Sequence, residues 1–161
     1  MGVASAADLA VERDVRDLIY RACLLLDQNK FLEWLELCTA DFRYTISAWS
    51  PEIRRDMTWL DHDFDGIQNL MKMLPKHNSD QTPLTRHATV YTIDYDAVRH
   101  EADAVTSVAI FATALDGGAT ELWALGRYYD TVSLAADTAR FRRRVVRLET
   151  RSLGIGKHWP L

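Results

Sequence analysis

The sequence predicts an α+β domain in which N-terminal helices pack into a strongly curved, mostly antiparallel sheet. Three observations carry this. Apolar residues recur at helical spacing through the first third of the chain. Four long strand-like runs follow the last helical pattern. The turns between those runs are short, so their strands must be antiparallel neighbours. Long strands in one sheet twist and curl, and the concave face then needs filling. The first and third helices are the apolar elements left to fill it, which gives a cone wrapped around a long helix.

Each element has its own signal. Ala7 to Leu26 carries Val11, Val15, Leu18, Ile19, Ala22, Cys23, Leu25 and Leu26 on one face, with Asp8 as N-cap and a stop near Asp27-Gln28-Asn29. Lys30 to Cys38 reads as a short second helix striped by Phe31, Trp34 and Leu35, closing a tight hairpin. Phe42 to Trp49 alternates and is rich in β-branched and aromatic residues, which marks a strand, and Arg54 to Leu60 reads as its return. Asp61-His62-Asp63 reads as the start of a third helix, striped by Phe64, Ile67, Leu70, Met71 and Leu74 and ended by Pro75. Lys76 to Pro83 is a polar loop. The remaining strands are Arg86 to Tyr95, Ala102 to Leu115, Thr120 to Leu134 and Arg140 to Leu153. Asp116-Gly117-Gly118 marks a hairpin between two of them, because glycine supplies the positive φ such turns need. Residues 1–161 are read as a single domain, with 1–6 and 154–161 as tails.

Composition narrows the function. The chain has 161 residues, 48% hydrophobic and 26% charged, which is ordinary globular usage. With 23 acids against 19 bases its net charge is −4, so it lacks the electrostatic footprint of a nucleic-acid binder. No stretch reaches about 18 uninterrupted apolar residues, so no transmembrane helix is expected. Met1 to Ala10 lacks the basic and apolar regions of a secretory signal. Two cysteines, Cys23 and Cys38, are too few for a disulfide framework. The expected location is a reducing cytoplasm.

Local metal and cofactor motifs are absent. His62, His77, His87, His100 and His158 are scattered, and there is no C-x-x-C or H-x-x-x-H pair. There is no G-x-G-x-x-G, no P-loop and no G-x-S-x-G elbow. No metal or cofactor is therefore expected in this chain.

A few residues carry chemistry worth weighing. Asp27, at the end of the first helix, is either a general base at a pocket floor or a helix-end residue bonding a backbone amide. His87 is either an acid–base residue at the cone mouth or a histidine bonded to a neighbour. Tyr44 either orients a ligand or is core with a satisfied hydroxyl. The run Arg140 to Arg147 lies on a strand, whose alternation sends Arg142 and Arg144 to one face and Arg143 to the other. It is a solvated basic face or an interface with bidentate arginine–carboxylate pairs, with nucleic-acid binding a third reading that the acidity of the rest of the chain disfavours.

Taken in order, these segments resemble a known family. Tyr20-Arg21-Ala22, Leu25-Leu26-Asp27, Phe31-Leu32-Glu33-Trp34-Leu35 and Asp41-x-x-Tyr44 are similar to the opening of small (β) subunits of aromatic-ring-hydroxylating dioxygenases. So are Leu60-Asp61-His62-Asp63 and Arg86-His87-x-x-Val90. The most specific pieces are Gly126-Arg127-Tyr128-x-Asp130-x-Val132 and Phe141-Arg142-Arg143-Arg144-Val145-Val146-x-Leu148. The chain departs from the common pattern at Gly66 to Pro75 and at Gly154 to Leu161, which suggests a divergent branch acting on an unusual aromatic acid.

The resemblance implies the cone-shaped NTF2-like (SnoaL-like) fold and a non-catalytic structural subunit without metal. Its partner would be a larger α subunit holding a Rieske [2Fe-2S] cluster and a mononuclear iron, and three β subunits would form the base of an α3β3 assembly. Read from the arginine strand and the tail rather than from the resemblance, Arg127, Arg142, Arg143, Arg144 and Trp159 are the expected interface residues. The alternative on the same fold is a cofactor-free dehydratase or isomerase of the scytalone dehydratase or polyketide cyclase type, using Asp27, Tyr44 and His87. A third reading is a small ligand-binding or scaffolding domain.

Overall fold

Val15, Leu18, Ile19, Ala22, Cys23, Leu25 and Leu26 form the buried stripe of α1 (Ala6–Asp27). A computed structural model describes residues 6–77, 80–153 and 160–161. The helix stops where expected, and its stop has a defined mechanism. Asn29 adopts a left-handed φ of 57°. That conformation lets Lys30 N–H donate to Leu25 O (2.8 Å) and Asn29 N–H to Leu26 O (3.1 Å), the paired bonds of a Schellman motif.

After α1 come α2 (Phe31–Leu35), β1 (Cys38–Ser50), β2 (Arg55–Asp63), α3 (Phe64–His77), β3 (Leu84–Asp96), β4 (Glu101–Thr113), β5 (Thr120–Ser133) and β6 (Arg140–Leu148). The strands form one curved sheet in the order β2-β1-β6-β5-β4-β3. Only β1 and β6 run parallel; every other neighbouring pair is antiparallel. One face of the sheet packs on the helices, α1 against β3 and α3 against β1 and β2. Trp34 of α2 reaches the same core and meets Phe42 and Tyr44 edge-on, with ring centroids 5.9 and 5.8 Å away.

Several boundaries differ from the sequence expectation; β1 starts at Cys38 rather than Phe42, and β6 ends at Leu148 rather than Leu153. Helix α2 ends at Leu35 because the chain from Cys38 already pairs with β6: Cys38 sits opposite Phe141, and Phe141 N–H donates to Leu37 O at 2.8 Å. Asp61 and His62 belong to β2, where Arg43 grips Asp61 at 2.6 Å. Asp63 alone serves the helix start, accepting Gly66 N–H at 2.9 Å. Helix α3 runs past Pro75 to His77; a proline in the last turn removes a single intrahelical bond.

The arginine run departs most from simple alternation. Thr131 pairs with Arg143 while Val132 pairs with Phe141, so Arg142 is left over as a β-bulge. The extra residue flips the strand phase. Phe141 and Arg144 therefore share the buried face, and Arg142 and Arg143 are exposed. Arg144 is not the surface residue expected from the sequence. It faces its register partner Asp130 inside the cone, and both side chains are 0% exposed. Its Nε and Nη2 each donate to one Asp130 carboxylate oxygen at 2.7 Å. The guanidinium carbon lies 4.1 Å from the Tyr128 ring centroid and 4.4 Å from that of Phe141. Burial pushes the Asp130 carboxyl up, and the Arg144 charge opposes it. The two-pronged geometry fits the ionised pair.

Arg144→Met should destabilise the protein by about 3–5 kcal/mol, because it strands a buried carboxylate. Pairing it with Asp130→Leu should recover most of that loss, which denaturant titration of the three proteins would show. Gly126 offers a second check. A Cβ there would lie 2.4 Å from the Arg147 carbonyl oxygen, so Gly126→Ala should lower stability by about 1–3 kcal/mol through forced separation of β5 and β6.

Candidate functional site: the cone interior and the outer sheet face

The inner end of the cone is built around Arg86 on β3. Leu84, Arg86 and Val90 point inward, and His87 points outward. The Arg86 side chain is 2% exposed and meets Asp27 of α1, Nη1 to Oδ1 at 2.6 Å. The same carboxylate accepts the Arg86 backbone N–H at 3.1 Å. Asp27 thus ties the end of α1 to β3 and fixes the arginine, and each of its oxygens is in use.

The opposite side of the interior is occupied by the chain's own residues. Arg86 Nη2 donates to Pro160 O at 2.7 Å. Tyr44 Oη donates to Leu161 O at 3.0 Å and accepts Leu161 N–H at 2.8 Å. Tyr44 and Leu161 are both fully buried. Sequence reasoning did not find this arrangement. The inward register of Arg86 was available from alternation along β3, but nothing in the composition of the last two residues marks them as occupants of the cone.

Of the residues proposed for proton transfer, Asp27 and Tyr44 border one interior, but each is already hydrogen-bonded within the chain. His87 is exposed and stands edge-on to Phe111, centroids 5.2 Å apart, on the far side of the sheet. The three do not converge on one cavity. Among the described residues, no three His, Cys, Asp or Glu side chains come together as a metal-ligand set. Cys23 and Cys38 are free and buried, and burial pushes both thiols up, away from nucleophilic or ligating thiolate. No described helix is long and apolar enough to cross a membrane.

The sheet face turned away from the helices carries most of the other candidates. Register places Thr45, Val145, Tyr129, Val105 and Thr92 in one row across five strands. On one side of this row lies Arg43-Arg143-Thr131-Asp103, and on the other Arg147-Arg127-Ser107. The half-exposed Val145, Tyr129 and Val105 line a shallow groove of ≈ 470 Å³, bordered by Arg143, Arg147 and Asp103. Arg127 pairs with Glu149 at 3.1 Å. Arg142 spans Asp41 and Glu101. Arg143 is exposed and has no ion pair among the described residues. Trp159, the other expected contact, lies outside the described residues.

The tyrosines give a pH test of the interior. Burial pushes the Tyr44 hydroxyl up to about 12, against the opposing Arg144 charge, and burial pushes Tyr128 up further still. In the unfolded chain both would ionise near pH 10. Stability supplied by keeping them protonated is thus intact below pH 10 and lost as pH rises beyond it, since only the unfolded state then releases the protons. Of the six tyrosines, Tyr44 and Tyr128 should stay silent in a tyrosinate absorbance titration until the protein unfolds. Tyr44→Phe should remove one late-titrating group.

Comparison with known proteins bears on this geometry. Residues 7–145 match the SnoaL-like domain. The chain is 45% identical over 154 residues to the hydroxylase β subunit of methanesulfonate monooxygenase from Methylosulfonomonas methylovora, covering 91% of this chain and 85% of that one. It is 33% identical over 147 residues to the β subunit of 2-aminobenzenesulfonate 2,3-dioxygenase from an Alcaligenes species, covering 91% and 97%. Its fold matches a β subunit assigned to an aromatic-ring-hydroxylating dioxygenase from Novosphingobium aromaticivorans, with a TM-score of 0.76 at 20% identity over 92% and 94% of the two chains. A scytalone dehydratase-like protein from the same organism has the same fold, with a TM-score of 0.64 at 18% identity over 89% and 87%. An inward-bonded cone and these sequence relationships agree: the chain belongs to the SnoaL-like β subunits of ring-hydroxylating oxygenases.

Proposed function

We propose that this chain is the non-catalytic β subunit of an oxygenase and supports a larger α subunit that carries the iron centres. The observation behind this is the 45% identity, over nearly the whole chain, to a hydroxylase β subunit. The cone interior supports it, because the groups a proton-transfer enzyme would use are bonded to the chain itself. The described residues offer no ligand set that fits a Rieske cluster or a mononuclear iron. In this reading both centres belong to the partner, and this chain contributes assembly rather than a chemical step. Both curated relatives act, by name, on sulfonates, so an organosulfonate is the proposed substrate class of the complex. Its free, buried thiols suit a reducing cytoplasm.

In this reading the outer sheet face is the docking surface, and Arg127, Arg142 and Arg143 are its charged contacts within an α3β3 assembly. Arginine suits such a place, since its planar fork pairs with carboxylates in two-pronged fashion. Tagged protein purified from its source cells should carry a larger partner in equal numbers. Iron should be about three per pair, as a two-iron cluster plus one mononuclear site requires. A colourless, partner-free protein would overturn the reading. Arg143→Glu should weaken co-purification of the partner or of further β copies while shifting stability by less than about 0.5 kcal/mol. Unchanged assembly in sedimentation would remove Arg143 from the interface.

A further inference from the structure

The helix side of the molecule carries two grooves of opposite character. The first runs beside α1 and α2, and there five carboxylates outnumber two arginines. The second lies between α2 and α3 and measures ≈ 480 Å³. Phe31, Leu32, Met71 and Pro75 line it, together with Lys30, Lys72 and Lys76. Those are three of the chain's four lysines, gathered at one place in a chain of net charge −4. Phe31 and Met71 are buried, whereas Leu32 is 56% exposed. The three lysines are exposed as well. The charges of these lysines are largely unspent within the chain. Ten arginines pair with carboxylates of their own fold. Lys72 Nζ instead donates to the neutral Gln68 Oε1 at 3.1 Å. Lys30 has Glu33 at a loose 3.8 Å, with both side chains about half exposed. Lys76 has no ion pair among the described residues. Lys72 and Lys76 stand four apart on α3, so two like charges share one helix face, an arrangement unfavourable in the free chain that an opposing acid relieves.

We propose that the groove between α2 and α3 seats an acidic segment of the larger subunit. That segment sets an apolar anchor side chain against Phe31, Met71 and Pro75, and Asp or Glu side chains against Lys30, Lys72 and Lys76. The identity of the partner rests on the oxygenase reading; the chemistry of the segment rests on the groove. Charge complementarity selects the occupant. The lysine stems extend the apolar lining while their ammonium groups stay at its edge, which suits a segment that carries acids beside an apolar anchor. The neighbouring groove is acidic and repels the same segment, which fixes where it sits. Because the helices pack on one face of the sheet and Arg127 and Arg143 lie on the other, this contact uses a surface separate from the outer sheet face.

Two measurements on the assembled complex test it. The complex purified from source cells, recognised by its iron and its equal chain numbers, is treated with a water-soluble carbodiimide, which joins an amine to a carboxylate in contact with it. Peptide mass spectrometry should find Lys72 or Lys76 joined to Asp or Glu of the larger subunit. If the complex holds the larger subunit and these lysines link only to copies of this chain, or to nothing, the proposal falls. In the second, Lys72→Glu combined with Lys76→Glu should bind the larger subunit at least about tenfold more weakly, since like charges then face each other, with circular dichroism unchanged. Lys72→Arg combined with Lys76→Arg, which keeps the charge, should retain binding. Equal binding by the folded reversal variant would overturn the groove and leave the oxygenase reading standing. Wild-type protein that carries no larger chain would overturn both. Should the reversal variant fail to fold, the cross-links in the wild type decide.

Discussion

The ion pair between Arg144 and Asp130 constrains the rest of the fold. Two full charges stand at the centre of the sheet, on β5 and β6, with neither side chain exposed. Removing such ions from water costs several kcal/mol each, and their attraction offsets that cost only when the geometry is right. Here each carboxylate oxygen takes one N–H, and two aromatic faces flank the guanidinium. That arrangement requires Phe141, Arg144 and Tyr128 to face inward together, which in turn requires the bulge at Arg142. A β6 without the extra residue would turn either Phe141 or Arg144 to solvent. The central register of the sheet and the charge in its core are therefore a single specification.

The features legible in the sequence were those that depend on local periodicity. Helix α1 announces its stripe and its stop, because the apolar spacing and the Asn29 turn are both short-range signals. The long strands and the Asp116-Gly117-Gly118 hairpin are equally visible; Gly117 takes φ 73° and Asp116 accepts Gly118 N–H at 2.8 Å. What stayed hidden depended on distant partners. Whether Arg144 is core or surface turns on one inserted residue, and Asp130 could be matched to it only through the register. The shortening of α2 is likewise decided by Phe141, about a hundred residues away. The extension of β2 over Asp61 is decided by Arg43 across the sheet. Family resemblance located the relevant segments, while plain alternation along the strand put Arg144 at the surface, where the fold does not place it.

The same distinction separates the two functional readings. A SnoaL-like cone can host proton-transfer chemistry, as fold alone does not fix function. In such a site Asp27 and Tyr44 would need free lone pairs and protons facing a substrate. Here Asp27 is committed to Arg86 and to a backbone amide, Tyr44 to the backbone of Leu161, and His87 stands on the wrong face. Asp27 and Tyr44 act in positioning. Their hydrogen bonds fix the relation between α1, β1, β3 and residues 160–161, elements that apolar packing alone could let slide.

The strands that build the interior also set the pattern of the outer sheet face. One strand serves both sides: β5 sends Tyr128, Asp130 and Val132 inward and Arg127, Tyr129 and Thr131 outward. Its neighbour β6 does the same from Arg143 onward. Because side chains alternate with a period of two, the register that buries Asp130 against Arg144 is also the register that sets Arg143 beside Thr131 and Arg147 beside Arg127 on the outside. The apolar row of Val145, Tyr129 and Val105, with arginines on either side, is the outer consequence of the inner ion pair. A slip of one residue would strand the buried charges and scatter the outer rows together. The core electrostatics of this subunit thereby fix the pattern of its outer face.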